Sequence, residues 1–80
     1  MQRYYFDVID EHGVAIDDEG LVLRDMQAAE QEAARSMADA ARDEVLRQSA
    51  GAPTQMSIQV RDDDGPVMLV KFSFEIDRKT

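Results

Sequence analysis

Residues 3–9 alternate, with Tyr4, Phe6 and Val8 on one side and Tyr5, Asp7 and Ile9 on the other. This is the period of a half-buried strand, and the Tyr4-Phe6-Val8 side is the better core candidate. An acidic turn, Asp10-Glu11-His12-Gly13, follows, and then Val14 and Ile16 alternate in the same way. Asp17-Asp18-Glu19-Gly20 interrupts before Leu21-Val22-Leu23 resumes. The second strand is therefore expected to be short, or broken by a bend at Gly20.

The pattern then changes period. Asp25 is placed as a helix N-cap, because its carboxylate can accept from the free amides of a first turn. A helix is predicted over residues 26–50. At about 100° per residue, Met26, Ala29, Ala33, Met37 and Ala40 form one stripe, with Ala34, Ala41 and Val45 on its flank. Gln31, Arg35, Asp39 and Arg42 lie opposite, and Arg35/Asp39 and Asp43/Arg47 are spaced to pair on the solvent side. Leu46 falls on that polar side. Gly51 is read as the helix stop, reinforced by Pro53.

Alternation returns after the helix, with Met56, Ile58 and Val60 against Ser57, Gln59 and Arg61. Asp62-Asp63-Asp64-Gly65 turns the chain, and Pro66 can open the next strand because no amide is needed there. The last strand places Met68, Val70, Phe72, Phe74 and Ile76 inward and Leu69, Lys71, Ser73 and Glu75 outward. One motif thus occurs twice: a strand ending in Val8-Ile9-Asp10-Glu11-His12-Gly13, and another in Val60-Arg61-Asp62-Asp63-Asp64-Gly65.

These patterns predict one α+β domain over residues 1–80. Its order is ββαββ, with one Ala-rich helix packed on one face of a mostly antiparallel four-stranded sheet. The units are a hairpin over residues 2–24, the helix over 26–50, a hairpin over 55–76 and a frayed tail over 77–80. Strand order is not readable. The open face of the sheet carries Tyr5, Ile9 and Leu69 among polar residues, and with Leu46 these make a candidate interaction surface. A helix face of mostly alanine and methionine buries little area per residue, so association of two copies is expected, through an edge strand or the open face.

Composition narrows the function classes. The 80 residues hold 44% apolar and 32% charged residues, too apolar for a disordered tail. No apolar run approaches a membrane span, and Met1-Gln2-Arg3-Tyr4-Tyr5-Phe6 meets Asp7 without a signal-like apolar stretch. Cytoplasmic residence is the expectation, and no membrane partner is expected. The absence of cysteine excludes disulfide frameworks and thiolate chemistry. A net charge of −8 repels phosphate backbones, so no nucleic-acid partner is expected. Seven acids and two bases fall in residues 1–25, which would meet a basic protein partner most strongly.

Chemistry-bearing sets fail on spacing. An EF-hand frame on Gly65 puts Val60 first and Lys71 twelfth, and a frame on Gly20 puts Ala15 and Met26 there. Asp and Gly are what turn geometry alone selects, so no metal is expected. His12 is the single histidine and has no thiolate or second imidazole to make a zinc site. Ser36, Ser49, Ser57 and Ser73 stand in no nucleophile elbow. Gly13, Gly20, Gly51 and Gly65 are isolated, so no phosphate cradle is formed and no cofactor is expected. Tyr4, Tyr5 and Phe6 lack the surrounding bases of a nucleic-acid stacking platform. The reading is a non-enzymatic interaction or regulatory protein.

Arg3-Tyr4-Tyr5-Phe6, Asp10-x-x-Gly13, Asp18-Glu19-Gly20, Leu23-x-Asp25 and a helix with Ala28-Ala29 and Glu32-Ala33 together resemble a small alphaproteobacterial family. It is a domain-of-unknown-function family of proteins of this length, about 80 residues. That resemblance implies the fold and no activity. The first half also resembles HicB-type antitoxins, which open on an Arg-Tyr-Tyr strand and enter a helix through Asp-x-x-x-Ala. That likeness implies a neutraliser of a basic toxin.

Overall fold

The structure, a computed structural model, describes residues 1–11, 13–47 and 54–74. Its elements are β1 (Gln2–Asp10), β2 (Gly13–Ala15), β3 (Leu21–Leu23), α1 (Met26–Arg47), β4 (Thr54–Asp62) and β5 (Gly65–Phe74). They form an α+β fold with one helix and an antiparallel sheet of order β2-β1-β4-β5, in which β3 also pairs with β1.

The expected four strands become five because the second strand is split. β2 pairs with the end of β1, Val8↔Ala15 to Asp10↔Gly13, and β3 pairs with its beginning, Gln2↔Leu23 to Tyr4↔Leu21. Between them Phe6 has no strand partner on that side. Its amide instead donates to Asp17 Oδ2 at 3.1 Å. A carboxylate thus replaces a ladder carbonyl, which frees the chain to bend, and Gly20 completes the bend at φ 72.

The repeated turns are matched folding devices. Gly13 donates its amide to Asp10 Oδ1 at 3.1 Å, and Asp64 donates its amide to Asp62 Oδ1 at 2.8 Å. Each turn ends on a glycine of positive φ, 140 at Gly13 and 127 at Gly65. A register shift between Val60 and Arg61 absorbs one extra residue on β5 beside Pro66.

Asp25 caps α1 as its side-chain chemistry predicts: the Ala28 amide donates to Asp25 Oδ1 at 2.9 Å. The buried face is Ala29, Ala33 and Met37, flanked by half-buried Glu32, Ser36 and Ala40. Met26 and Ala34, expected on that face, are exposed. The helix is thus rolled toward the Glu32/Ser36 side, and Met26, its first residue, is 43% exposed. Arg35 pairs with Glu32 at 2.7 Å instead of Asp39, and Asp39 with Arg42 at 3.6 Å. The shorter i,i+3 reach serves both pairs. The alanines let α1 approach Tyr4, Ile58 and Val60, which complete the buried cluster. Phe6, Val8, Leu23, Met56, Met68, Val70 and Phe72 pack around it, half-buried.

The side chains of Val45, Leu46, Arg47 and Phe74, together with His12, the stop at Gly51 and Pro53, Glu75, Ile76 and the expected tail over 77–80, lie outside the described residues. Among the described residues, no helix is long and apolar enough to cross a membrane.

Candidate functional site

The face of the sheet opposite the helix can be read from the register. Tyr5 lies across from Arg61, Asp7 from Gln59, Ile9 from Ser57 and Val14, and Gln59 from Leu69. Tyr5, Ile9 and Leu69 therefore share this face, as the alternation predicts. They do not touch one another in a patch: Asp7 stands between the first two, and the β4 polar row separates both from Leu69. Leu69 is 50% exposed. Tyr5 and Ile9 are half-buried. Leu46, the helix residue grouped with them as a candidate interaction surface, has its side chain outside the described residues.

A polar cluster occupies the middle of this face. Asp7 is buried, at 4% exposure. Arg61, diagonal to it on β4, grips it with both arms of the guanidinium: Nε donates to Asp7 Oδ2 at 2.8 Å and Nη2 to Oδ1 at 3.3 Å. The same Nη2 donates to the backbone carbonyl of Asp17 at 2.8 Å. Asp17 returns its own amide to Asp7 Oδ1 at 2.9 Å. The guanidinium carbon lies 4.6 Å from the centroid of the Tyr5 ring, in cation–π contact.

Asp17 is the hub of the strand break. Its Oδ1 accepts the amides of Glu19 and Gly20, both at 3.1 Å, and its Oδ2 accepts that of Phe6. Arg3 clamps the outside of the loop by donating to the Glu19 carbonyl at 2.7 Å. Gly20 closes the assembly, since a Cβ there would sit 2.9 Å from Arg3 Cγ, the Tyr4 carbonyl oxygen and Tyr5 Cε2.

The electrostatics follow from these partners. The hydrogen bond from Arg61 holds the Asp7 carboxyl below its ordinary value, helped by the Asp17 amide and the Arg61 charge and opposed by desolvation. At Asp17 desolvation pushes the carboxyl up, but the amides of Gly20, Phe6 and Glu19 and the charge of Arg61 outweigh it, so the net shift is downward. Asp7 in turn raises the guanidinium of Arg61. Both acids are held ionised and both are saturated with donors, so neither has the raised carboxyl a general acid requires. The cluster is a fastening that ties the strand break to β1 and β4.

Sequence reasoning missed this cluster. The signal was an acid, Asp7, on an otherwise apolar first strand, and a single arginine on the outward row of β4. Among the described residues, no group of three or more His, Asp or Glu side chains is arranged to hold a metal ion. Shallow concavities among the described residues include one of about 240 Å³ lined by Ile9, Asp10, Gln55 and Met56 and one of about 290 Å³ lined by Ser57, Lys71 and Phe72.

Fold and site together define a small α+β protein whose polar cluster serves its architecture. The chain belongs to the family described as Domain of unknown function (DUF6894), whose pattern matches residues 3–73. No curated protein and no solved structure matches it.

Proposed function

We propose that the chain is a non-enzymatic protein–protein interaction domain of the bacterial cytoplasm, one that self-associates through its sheet. The observation that carries the reading is the uneven finish of the sheet. One edge is broken and fastened down by Asp17, while the ten-residue β5 has no described strand on its outer side and carries the exposed Leu69. A strand of that length at the end of the described sheet order can template another strand. The full engagement of Asp7, Asp17 and Arg61 with one another supports a structural role for the one buried polar cluster among the described residues.

Sedimentation velocity of the full chain at tens of micromolar tests this. A species of twice 9.0 kDa is expected, and monomer alone overturns self-association.

A second reading, a neutraliser of a basic toxin like the HicB-type antitoxins, draws on the acidic ends of the molecule. Asp18, Glu19, Asp63 and Asp64 are exposed in a chain of net charge −8. Binding of a small basic ribonuclease that weakens steeply with salt would favour it, and salt-insensitive or absent binding would exclude it.

A further inference from the structure

The segment from β2 to the start of α1 is fastened without being buried. No residue from 13 to 24 belongs to the buried core, although Leu23 packs against it. Polar bonds do the holding: the Asp17 carboxylate accepts the amides of Phe6, Glu19 and Gly20, while Arg61 and Arg3 donate to the Asp17 and Glu19 carbonyls. The segment thus presents its outward side chains from a fixed frame, which lowers the ordering cost of a contact made through them.

Those side chains are largely apolar. Of the seven large apolar side chains exposed among the described residues, five fall within residues 14–26: Val14, Ile16, Leu21, Val22 and Met26. Val14 lies across from Ile9 and Val22 from Arg3, so both stand on the sheet face opposite the helix. Ile16, between them in the chain, is 64% exposed. Single apolar residues scattered over a surface are ordinary, but this row follows one sheet edge.

Acids border the row. Asp18, Glu19, Asp63 and Asp64 are exposed, and their carboxylates have no partner among the described residues. The Asp62-Asp63-Asp64 turn follows Arg61, which reaches the Asp17 carbonyl, so both acidic turns lie at one end of the sheet. The bases nearby are engaged: Arg24 pairs with Asp25 at 3.7 Å, Arg3 holds the Glu19 carbonyl and Arg61 grips Asp7. Thr54 and Phe74, which border segments outside the described residues, pair with each other at the opposite end of the sheet.

Charge and shape select the occupant. A second copy of the chain is disfavoured here, because a two-fold contact would set these acids against themselves. An added strand is disfavoured as well, since β2 and β3 are three residues each and the edge bends between them. The geometry points to a basic amphipathic helix of a partner protein, its apolar stripe laid on Val14, Ile16 and Val22 and its lysines and arginines over the acidic turns. Apolar burial gives this contact its strength, and the charges set orientation and association rate. The surface rests on the reading of the chain as an interaction domain and is distinct from the contact through which it self-associates.

Titration of the full chain with a synthetic helical peptide of leucine and lysine, its leucines at i, i+3, i+4 and i+7, tests this by fluorescence anisotropy and amide chemical shifts. Binding is expected, with shifts concentrated in residues 14–24 and the turn at 62–65. A peptide of the same composition, scrambled to remove the apolar stripe, should bind at least ~tenfold more weakly. Ile16→Thr with Val22→Thr, which keeps the β-branch, should weaken binding about tenfold. Asp18→Asn with Glu19→Gln should weaken it about threefold and flatten its salt dependence, whereas the equal charge loss of Glu30→Gln with Asp43→Asn on the helix should leave it unchanged. Urea midpoints of these variants should match the parent, and if one falls, the shift map of the parent decides alone. Absent binding, shifts concentrated elsewhere, a scrambled peptide that binds equally, or affinity indifferent to I16T/V22T in a stably folded variant overturns the proposal. So does a loss of self-association in I16T/V22T, which would assign the row to a second copy. A monomeric parent that still binds the peptide overturns self-association and leaves this surface standing.

Discussion

Arg61 holds Asp7 diagonally across β1 and β4 with two hydrogen bonds, of 2.8 and 3.3 Å, and from the same guanidinium reaches the Asp17 carbonyl on the strand break. One side chain thereby ties β4 to β1 and to the strand break, 54 and 44 residues earlier in the sequence. The break in the second strand is a fixed feature because this arginine and the Asp17 carboxylate bond it together, with Arg3 holding the Glu19 carbonyl from outside. That fixed break closes the β2/β3 edge of the sheet.

Removing the carboxylate should loosen this joint. Asp7→Asn leaves the Arg61 charge partly unpaired beneath the loop. Arg61 is itself 29% exposed, so the cost falls below that of a fully buried pair, about 1–3 kcal/mol. Urea unfolding of the variant checks it, with a fall in midpoint and little change in slope expected. Arg61→Lys keeps the charge but loses the fork that spans Asp7 and Asp17, and should also destabilise.

Acid should erase the difference between parent and D7N. The folded-state pKa values of Asp7 and Asp17 lie below the ordinary 3.8. The unfolded chain therefore takes up protons first as pH falls. Their contribution is fully present above the unfolded value and is lost as pH drops through it toward the lower folded values. Thermal unfolding from pH 7 to pH 2 should show the gap between parent and D7N constant above about pH 5 and narrowing below about pH 4. A gap that widens in acid would mean that Asp7 is not held ionised by Arg61.

Gly20→Ala should be among the most damaging small substitutions. It puts a methyl 2.9 Å from the Tyr4 carbonyl at a backbone φ of +72. Left-handed strain and a clash with fixed backbone together suggest a loss of roughly 2–4 kcal/mol. Chemical denaturation measures it, and the amides of Phe6 and Gly20 should lose hydrogen-exchange protection in the same variant.

Ala33 is fully buried between α1 and the sheet. Ala33→Leu would force the helix outward and cost about 1–3 kcal/mol, although it raises the hydrophobicity of the face. A stabilised A33L variant would contradict the close helix–sheet contact.

Much of this architecture is visible in the residues. The period of Tyr4-Phe6-Val8, the Asp25 cap and the Asp-to-Gly turns each rest on interactions within a few residues, and such interactions leave a local pattern. The split of the second strand was half visible, in Asp17-Asp18-Glu19-Gly20 interrupting an apolar run, but its cause was not. Asp17 bends the chain by bonding Phe6, and Arg61 fixes it from 44 residues away. Pairing at that separation has no spacing rule. The roll of α1 toward Glu32 and Ser36 was hidden for a related reason: an alanine-rich wheel has no large side chains to mark its inner face. The open-face residues Tyr5, Ile9 and Leu69 were placed correctly by alternation, yet alternation could not show that Arg61 covers Tyr5.

The central claim is the proposed self-association through the sheet, with the β2/β3 edge fastened closed by Asp17. Amide hydrogen exchange of the full chain, followed over a dilution series, tests it most directly. Alternate β5 amides, those facing away from β4, should exchange more slowly as concentration rises, while the amides of β2 remain unchanged. Exchange along β5 that is fast and independent of concentration would contradict the account.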